Sequence, residues 1–342
     1  MTKRSIIIIA ALLTGWISGA IAEMPAVGVA QTPPKFLIGV WYQPASNFDK
    51  WKARGINTLV GCPLGAEGVS RQQWMDAARK AGLFYIAKPT EDPDDLKTDL
   101  VDPNFLAWEQ PDEPDGAGNL PPETIIANYK AWKAVGNKPI FLNIDGWKTQ
   151  YRPAADYIQY FQGADWIGFD YYIINRGEGP DNIGRLGERL EKLKLWTGGK
   201  KKIYVFIECS DQNLRITDWA ATADATGKPI GPRMRGPTAA EMKKEIEVSV
   251  AHGAAGIIFF PDVIGKGWEK FDGTPPECET MMKDLNAKLT AAAEKASPSK
   301  TPGAPKTDAG RNVPVDPKAP LDGRDVTIDG VTYTLKRKPP SQ

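Results

Sequence analysis

The chain has 342 residues, 42% of them hydrophobic, with 43 Lys and Arg against 42 Asp and Glu and a single histidine. That apolar share supports a core and excludes wholesale disorder, while a formal charge of +1 offers nothing to a polyanion, so no nucleic-acid partner is expected. One histidine excludes zinc sites built on two or three imidazoles and leaves any Ser-His or Cys-His nucleophile dependent on His252.

The amino end carries Lys3-Arg4, an apolar run over residues 5–22 and the small-x-small pattern Ala20-Ile21-Ala22. This pattern predicts a secretory signal peptide over 1–22, a disordered lead-in over 23–34, and a secreted or periplasmic protein. The competing reading is an uncleaved anchor, since the run is nearly long enough to span. No later segment is apolar enough to cross a bilayer, so no membrane contact is expected after cleavage. Cys62, Cys209 and Cys278 allow at most one disulfide; the first two, at strand ends, read as small buried hydrophobes.

Over residues 35–296 eight apolar runs follow one another, at 36–42, 56–61, 83–89, 105–109, 139–145, 166–172, 203–210 and 256–261. Each is continuous rather than alternating, as parallel strands covered on both faces are. Between them lie the capping boxes Ser70-x-x-Gln73 and Thr238-x-x-Glu241. A Pro122-led stretch runs to Gly136, and two further amphipathic stretches lie at 184–196 and 281–293. Strand–helix units in this number and length of chain predict an α/β fold, a (β/α)₈ TIM barrel. An open doubly wound sheet lacks its G-x-G-x-x-G after the first run. Residues 297–320 read as a Pro- and Lys-rich linker. In the tail at 321–342 two β-prone runs flank Asp329-Gly330, a type I′ hairpin signal; it docks on the barrel or a partner, or stays mobile.

Barrel active sites lie at the carboxyl ends of the strands. There the runs supply Trp41 and Tyr42, Trp108, Asp112 and Glu113, Asp145 and Trp147, Asp170, Tyr171 and Tyr172, Glu208, and Phe260 and Asp262. Two glutamates facing each other at roughly 5–5.5 Å are what retaining glycoside hydrolysis uses. Glu113 and Glu208 are the candidates, and a neighbouring carboxylate such as Asp112 keeps the acid protonated. Tyr171 or Tyr172 is placed to hold the nucleophile, the aspartates to accept sugar hydroxyls, and Trp41, Trp108, Trp147 and Trp268 to stack on pyranose rings. Plainer roles compete: caps for Asp145 and Asp262, an ion pair for Glu208, core packing for any tryptophan. His252 reads as a helix-end residue. Arg215, Arg233 and Arg235, in the long segment 210–237, suggest a contact to an acidic sugar.

Asp112-Glu113-Pro114 after the fourth run and Tyr-Val-Phe-Ile-Glu208 closing the seventh resemble the (β/α)₈ retaining glycoside hydrolases of the β-galactosidase-like and cellulase-like kind. The resemblance implies Glu113 as acid/base and Glu208 as nucleophile, a carbohydrate substrate, and no metal or organic cofactor. Asp112 stands where many members have asparagine, and Phe259-Phe260 where many have tryptophan. A non-catalytic carbohydrate-binding barrel, or an inverting hydrolase using Asp145, Asp170 or Asp262 at about 6.5–9.5 Å, are the alternatives.

Overall fold

A computed structural model describes residues 32–64, 66–90, 92–212, 235–264 and 270–295, and two strands near the carboxyl end. The expected signal peptide and linker, with Arg215, Arg233 and Trp268, lie outside the described residues. The eight runs form β1 (Leu37–Trp41), β2 (Thr58–Val60), β3 (Phe84–Ala87), β4 (Phe105–Glu109), β5 (Ile140–Asp145), β6 (Trp166–Asp170), β7 (Lys202–Glu208) and β8 (Gly256–Phe260). All pair in parallel with their sequence neighbours, and β8 pairs with β1, which closes the barrel. Around it lie α1 (Phe48–Ala53), α2 (Arg71–Ala81), α3 (Pro93–Val101), α4 (Pro122–Val135), α5 (Ala154–Phe161), α6 (Arg185–Trp196), α7 (Ala239–Ala251) and α8 (Pro276–Lys295). The fold is a (β/α)₈ barrel. Near the carboxyl end β9 (Asp325–Ile328) and β10 (Val331–Thr334) pair antiparallel, with Ile328 opposite Val331.

Alternation along each strand separates two apolar layers. Leu37, Trp41, Val60, Phe84, Ile86, Phe141, Tyr204, Phe206, Ile258 and Phe260 fill the barrel interior, whereas Ile38, Val40, Leu142, Ile144, Val205 and Ile207 pack under the helices. Gly168 is needed inside, because a Cβ there would stand 2.6 Å from the Phe141 ring. Both capping boxes form, and Gly82 ends α2 at a φ of 67°, the left-handed conformation glycine tolerates.

One departure from regular geometry decides what reaches the mouth. Between β3 and β4 the register moves from Tyr85 opposite Phe105 to Ile86 opposite Ala107, so β4 carries one extra residue. This β-bulge re-aims the end of the strand. Leu106 and Ala107 both join the interior, Trp108 turns outward under the helices, and Glu109 points into the barrel.

The outward Trp108 donates from Nε1 to Asp99 at 2.9 Å, and Arg71 Nη2 reaches both oxygens of the same carboxylate at 3.0 and 2.8 Å. Asp99 is fully buried, so removing the guanidinium leaves a charge with one neutral donor. Arg71→Ala is therefore expected to cost about 3 kcal/mol in urea unfolding at neutral pH. A loss below about 1 kcal/mol, the range of exposed pairs, would show the ion pair to be dispensable.

Candidate active site

The carboxyl end of the barrel is crowded with acids. Glu109, Asp145 and Asp170 are 6%, 8% and 7% exposed on the inner faces of β4, β5 and β6. The turn after β4 adds Asp112, open to solvent, Glu113, half-buried, and Asp115, buried. That turn is held from several sides. Asn143 Nδ2 donates to Asp112 at 3.0 Å, while Asp115 accepts from the Asp145 amide at 3.0 Å and the Tyr157 hydroxyl at 3.1 Å. Glu113 itself has a φ of 39°, uncommon for a residue with a side chain.

Glu113 is in hydrogen-bond contact with Asp170. Burial, then the charge of Glu113 and the bond to it, push the Asp170 carboxyl well above the usual range, so it holds a proton where an isolated aspartate would not. Asn143 Nδ2 stands 3.4 Å from Asp170, and the Asn143 Oδ1 has no partner among the described residues. Glu109 is also pushed up, by burial first and by Asp112, against the pull of Lys88. For Asp112, enclosure by neighbouring atoms and the charge of Glu113 act upward, toward about 7, while the bond from Asn143 opposes them. Because that side chain remains open to water, its desolvation is weaker than that of its buried neighbours.

Aromatic rings line the interior below the acids. Trp41 meets Phe206 edge-on at 5.4 Å, and Tyr172 lies 5.1 Å from Phe260. The Tyr172 hydroxyl is buried without a partner among the described residues and lies within electrostatic reach of Asp170, Glu113, Asp112 and Glu208. Tyr42, half-buried, stacks beside Trp41 at 6.2 Å and is influenced by Glu109, Asp262 and Asp112. Trp147 is half-buried on the rim, with the Arg176 guanidinium 5.0 Å over its ring.

Several residues expected to meet substrate are turned away from the mouth or engaged with the protein instead. Trp108 is fully buried on the outer face because of the bulge and cannot stack on a sugar. Tyr171 is 1% exposed, also outward, and donates to Glu178 at 2.9 Å; Tyr172, not Tyr171, faces the acids. Asp145 Oδ1 accepts from the amides of Trp147 and Lys148 at 2.9 and 3.3 Å, the capping role. Asp262 has no exposed surface, and neither of its oxygens has a partner among the described residues. Arg235 is bonded through both amino groups to Glu241 rather than left to meet an acidic sugar.

Glu208 differs most from expectation. It is 1% exposed. Its Oε1 accepts from the Ile174 amide at 2.7 Å, and its Oε2 from the amide and Nδ2 of Asn175 at 2.7 and 2.6 Å. The carboxylate secures the turn after β6, which takes three of its roughly four acceptor sites. At 1% exposure neither oxygen is open to a substrate in this conformation. Conversely, Glu109, Asp115 and Asn143 belong to the mouth although no role was expected for them. The signal for Glu109 is its place as the last residue of the fourth apolar run, where an acid is costly unless it is paired or reaches the mouth.

No protein-family model matches the chain, and no curated protein matches its sequence. Solved structures resemble it at low identity. A putative α-L-fucosidase from Bacteroides thetaiotaomicron is 13% identical over 78% of this chain and 98% of its own, with a TM-score of 0.45. An endo-1,4-β-D-mannanase from Thermotoga petrophila is 14% identical over 75% and 99%, with a TM-score of 0.44. A phospho-2-dehydro-3-deoxyheptonate aldolase from Thermotoga maritima is 14% identical over 76% and 70%, with a TM-score of 0.42. No residue role is carried over from them.

Among the described residues no group of three or more His, Cys, Asp or Glu side chains is arranged to hold a metal ion. What the mouth offers is proton transfer: a reachable glutamate beside an aspartate whose carboxyl is pushed upward, a tyrosine hydroxyl without a partner among the described residues, and flat apolar surface beside them.

Proposed function

We propose that the protein is an exported glycoside hydrolase in which Glu113, backed by Asp170, protonates the leaving oxygen. The contact between the two carboxyls carries this reading. Asp170 is buried and its carboxyl is pushed upward, and Glu113 is the member open enough to deliver a proton to a substrate. The aromatic lining of Trp41, Tyr42, Tyr172 and Phe260 suits the apolar faces of a pyranose, which makes an oligo- or polysaccharide the substrate class. The leader-like first 22 residues support a secreted or periplasmic site of action.

The engagement of Glu208 favours a single displacement by water over a covalent intermediate on that residue, with Asp145 as the carboxylate that takes the water's proton while Glu113 gives its own to the leaving oxygen. The test is release of reducing sugar from a panel of polysaccharides and aryl glycosides, with the anomer of the first-formed product read by NMR. Hydrolysis with inversion is expected. Retention would return Glu208 to the nucleophile's role, and sugar binding without hydrolysis on every substrate would make the protein a carbohydrate-binding barrel.

A further inference from the structure

Behind the mouth lies a second carboxyl pair. Glu245, on α7, is 1% exposed and in hydrogen-bond contact with Glu208. Two carboxyls make such a contact only when one carries a proton. The three N–H groups converging on Glu208 favour its ionised form, so the proton belongs to Glu245. The Glu245 Oε1 has no partner among the described residues, as fits a neutral acid donating from its other oxygen.

The chain of contacts continues forward. Asn175 receives no slack: its Nδ2 also donates to the Ser210 carbonyl at 3.0 Å, and its Oδ1 accepts from the Gln212 amide at 2.8 Å. Residues 173–175 are thereby tied to the end of β7. Tyr172, directly before them, carries the hydroxyl that has no partner among the described residues and lies within electrostatic reach of Asp170, Glu113 and Asp112.

We propose that Glu245 is a positioning residue: as a neutral acid it donates to Glu208, which holds the turn after β6 and so fixes Tyr172 beside the Glu113–Asp170 pair. The catalytic half of this proposal rests on the function proposed above; the shared proton does not. Among the described residues, the charged or titratable groups that act on the pair include Tyr172 from the turn, Glu241 on α7 and Arg235 ahead of it. Arg235 holds Glu241 down to about 2, and burial pushes Tyr172 up, so neither titrates between pH 5 and 9.

The test compares the full chain with Glu245→Gln, which still donates an N–H but cannot ionise, and Glu245→Ala. An acid whose folded value is raised stabilises fully below its unfolded value of about 4.3, and that contribution is lost as pH rises through the folded value. The melting temperature of Glu245→Gln is therefore expected to gain on wild type by several degrees as pH rises from 5 to 9. On a substrate that is cleaved, Glu245→Ala is expected to lower kcat on the order of tenfold to a hundredfold with a smaller change in KM, and Glu245→Gln to restore most of it and extend the alkaline limb. Parallel melting curves for wild type and Glu245→Gln would overturn the shared proton. Unaltered kcat in Glu245→Ala, with diverging melting curves, would overturn the positioning role. Should Glu245→Ala not fold, failure of Glu245→Gln to alter the alkaline limb decides against it. If wild type cleaves no glycan, the function falls separately, and the melting curves still decide for or against the proton.

Discussion

Glu113→Gln is expected to lower kcat for glycoside hydrolysis by about 10³-fold, within the range that general acid catalysis supplies, with little change in KM. The substitution keeps the shape of the side chain and its contact with Asp170 but removes a proton that can be delivered. Because Glu113 is half-buried on a turn, the folded state should alter by no more than about 0.5 kcal/mol. The KM comparison matters: loss of transition-state stabilisation lowers kcat and kcat/KM together, whereas a distorted binding site raises KM. Activated aryl glycosides, whose leaving groups need little protonation, should lose much less than unactivated oligosaccharides. An equal small loss on both, under about tenfold, would remove Glu113 from proton transfer and pass the acid's role to another carboxyl of the mouth.

The contrast between Glu113 and Glu208 shows what a sequence of this kind discloses and where it stops. All eight strands are legible because continuous apolar runs in parallel sheets need no phase information: both faces are covered. Phase is what placing a side chain requires, and local pattern does not supply it. The extra residue in β4 exchanges the directions of Trp108 and Glu109 without disturbing the hydrophobicity of the run. A reading from the run alone puts the tryptophan at the mouth and overlooks the acid. The turn after β6 does the same on a smaller scale with Tyr171 and Tyr172. Glu208 was recognisable as an acid at a strand end, but its partners lie more than thirty positions away at 174 and 175, and at 245 on the far helix.

Helices show a parallel limit. α2 and α7 announce themselves through capping boxes whose reciprocal bonds form as expected. α1, α3 and α5 have six, nine and eight residues, too short for an apolar stripe to stand out from its surroundings. Their existence follows from the barrel, which needs a crossover between each pair of parallel strands, rather than from their own periodicity.

Asp262→Asn is expected to make the protein more stable, by an amount that grows with pH. Asp262 is fully enclosed, both its oxygens lack partners among the described residues, and Asp272 lies close enough to add its charge. Asp272 stays ionised because Lys50 and Arg54 bind it, so its repulsion persists at neutral pH. Burial first and Asp272 second push Asp262 up to about 9. The unfolded chain releases that proton near 3.9, so the folded state holds an extra proton across the interval between. Stability attached to this group is therefore complete below about pH 4 and declines as pH rises through about 9. Asparagine fills the same space and has nothing to ionise. Urea unfolding at pH 5 and pH 8 should show the advantage of the variant widening on the order of 4 kcal/mol, three pH units at 1.36 kcal/mol each. A constant difference across that interval would mean that Asp262 is charged in the folded protein. In that case it must have a cationic or N–H partner, and the interior edge of the mouth would be an ion pair rather than a row of neutral acids.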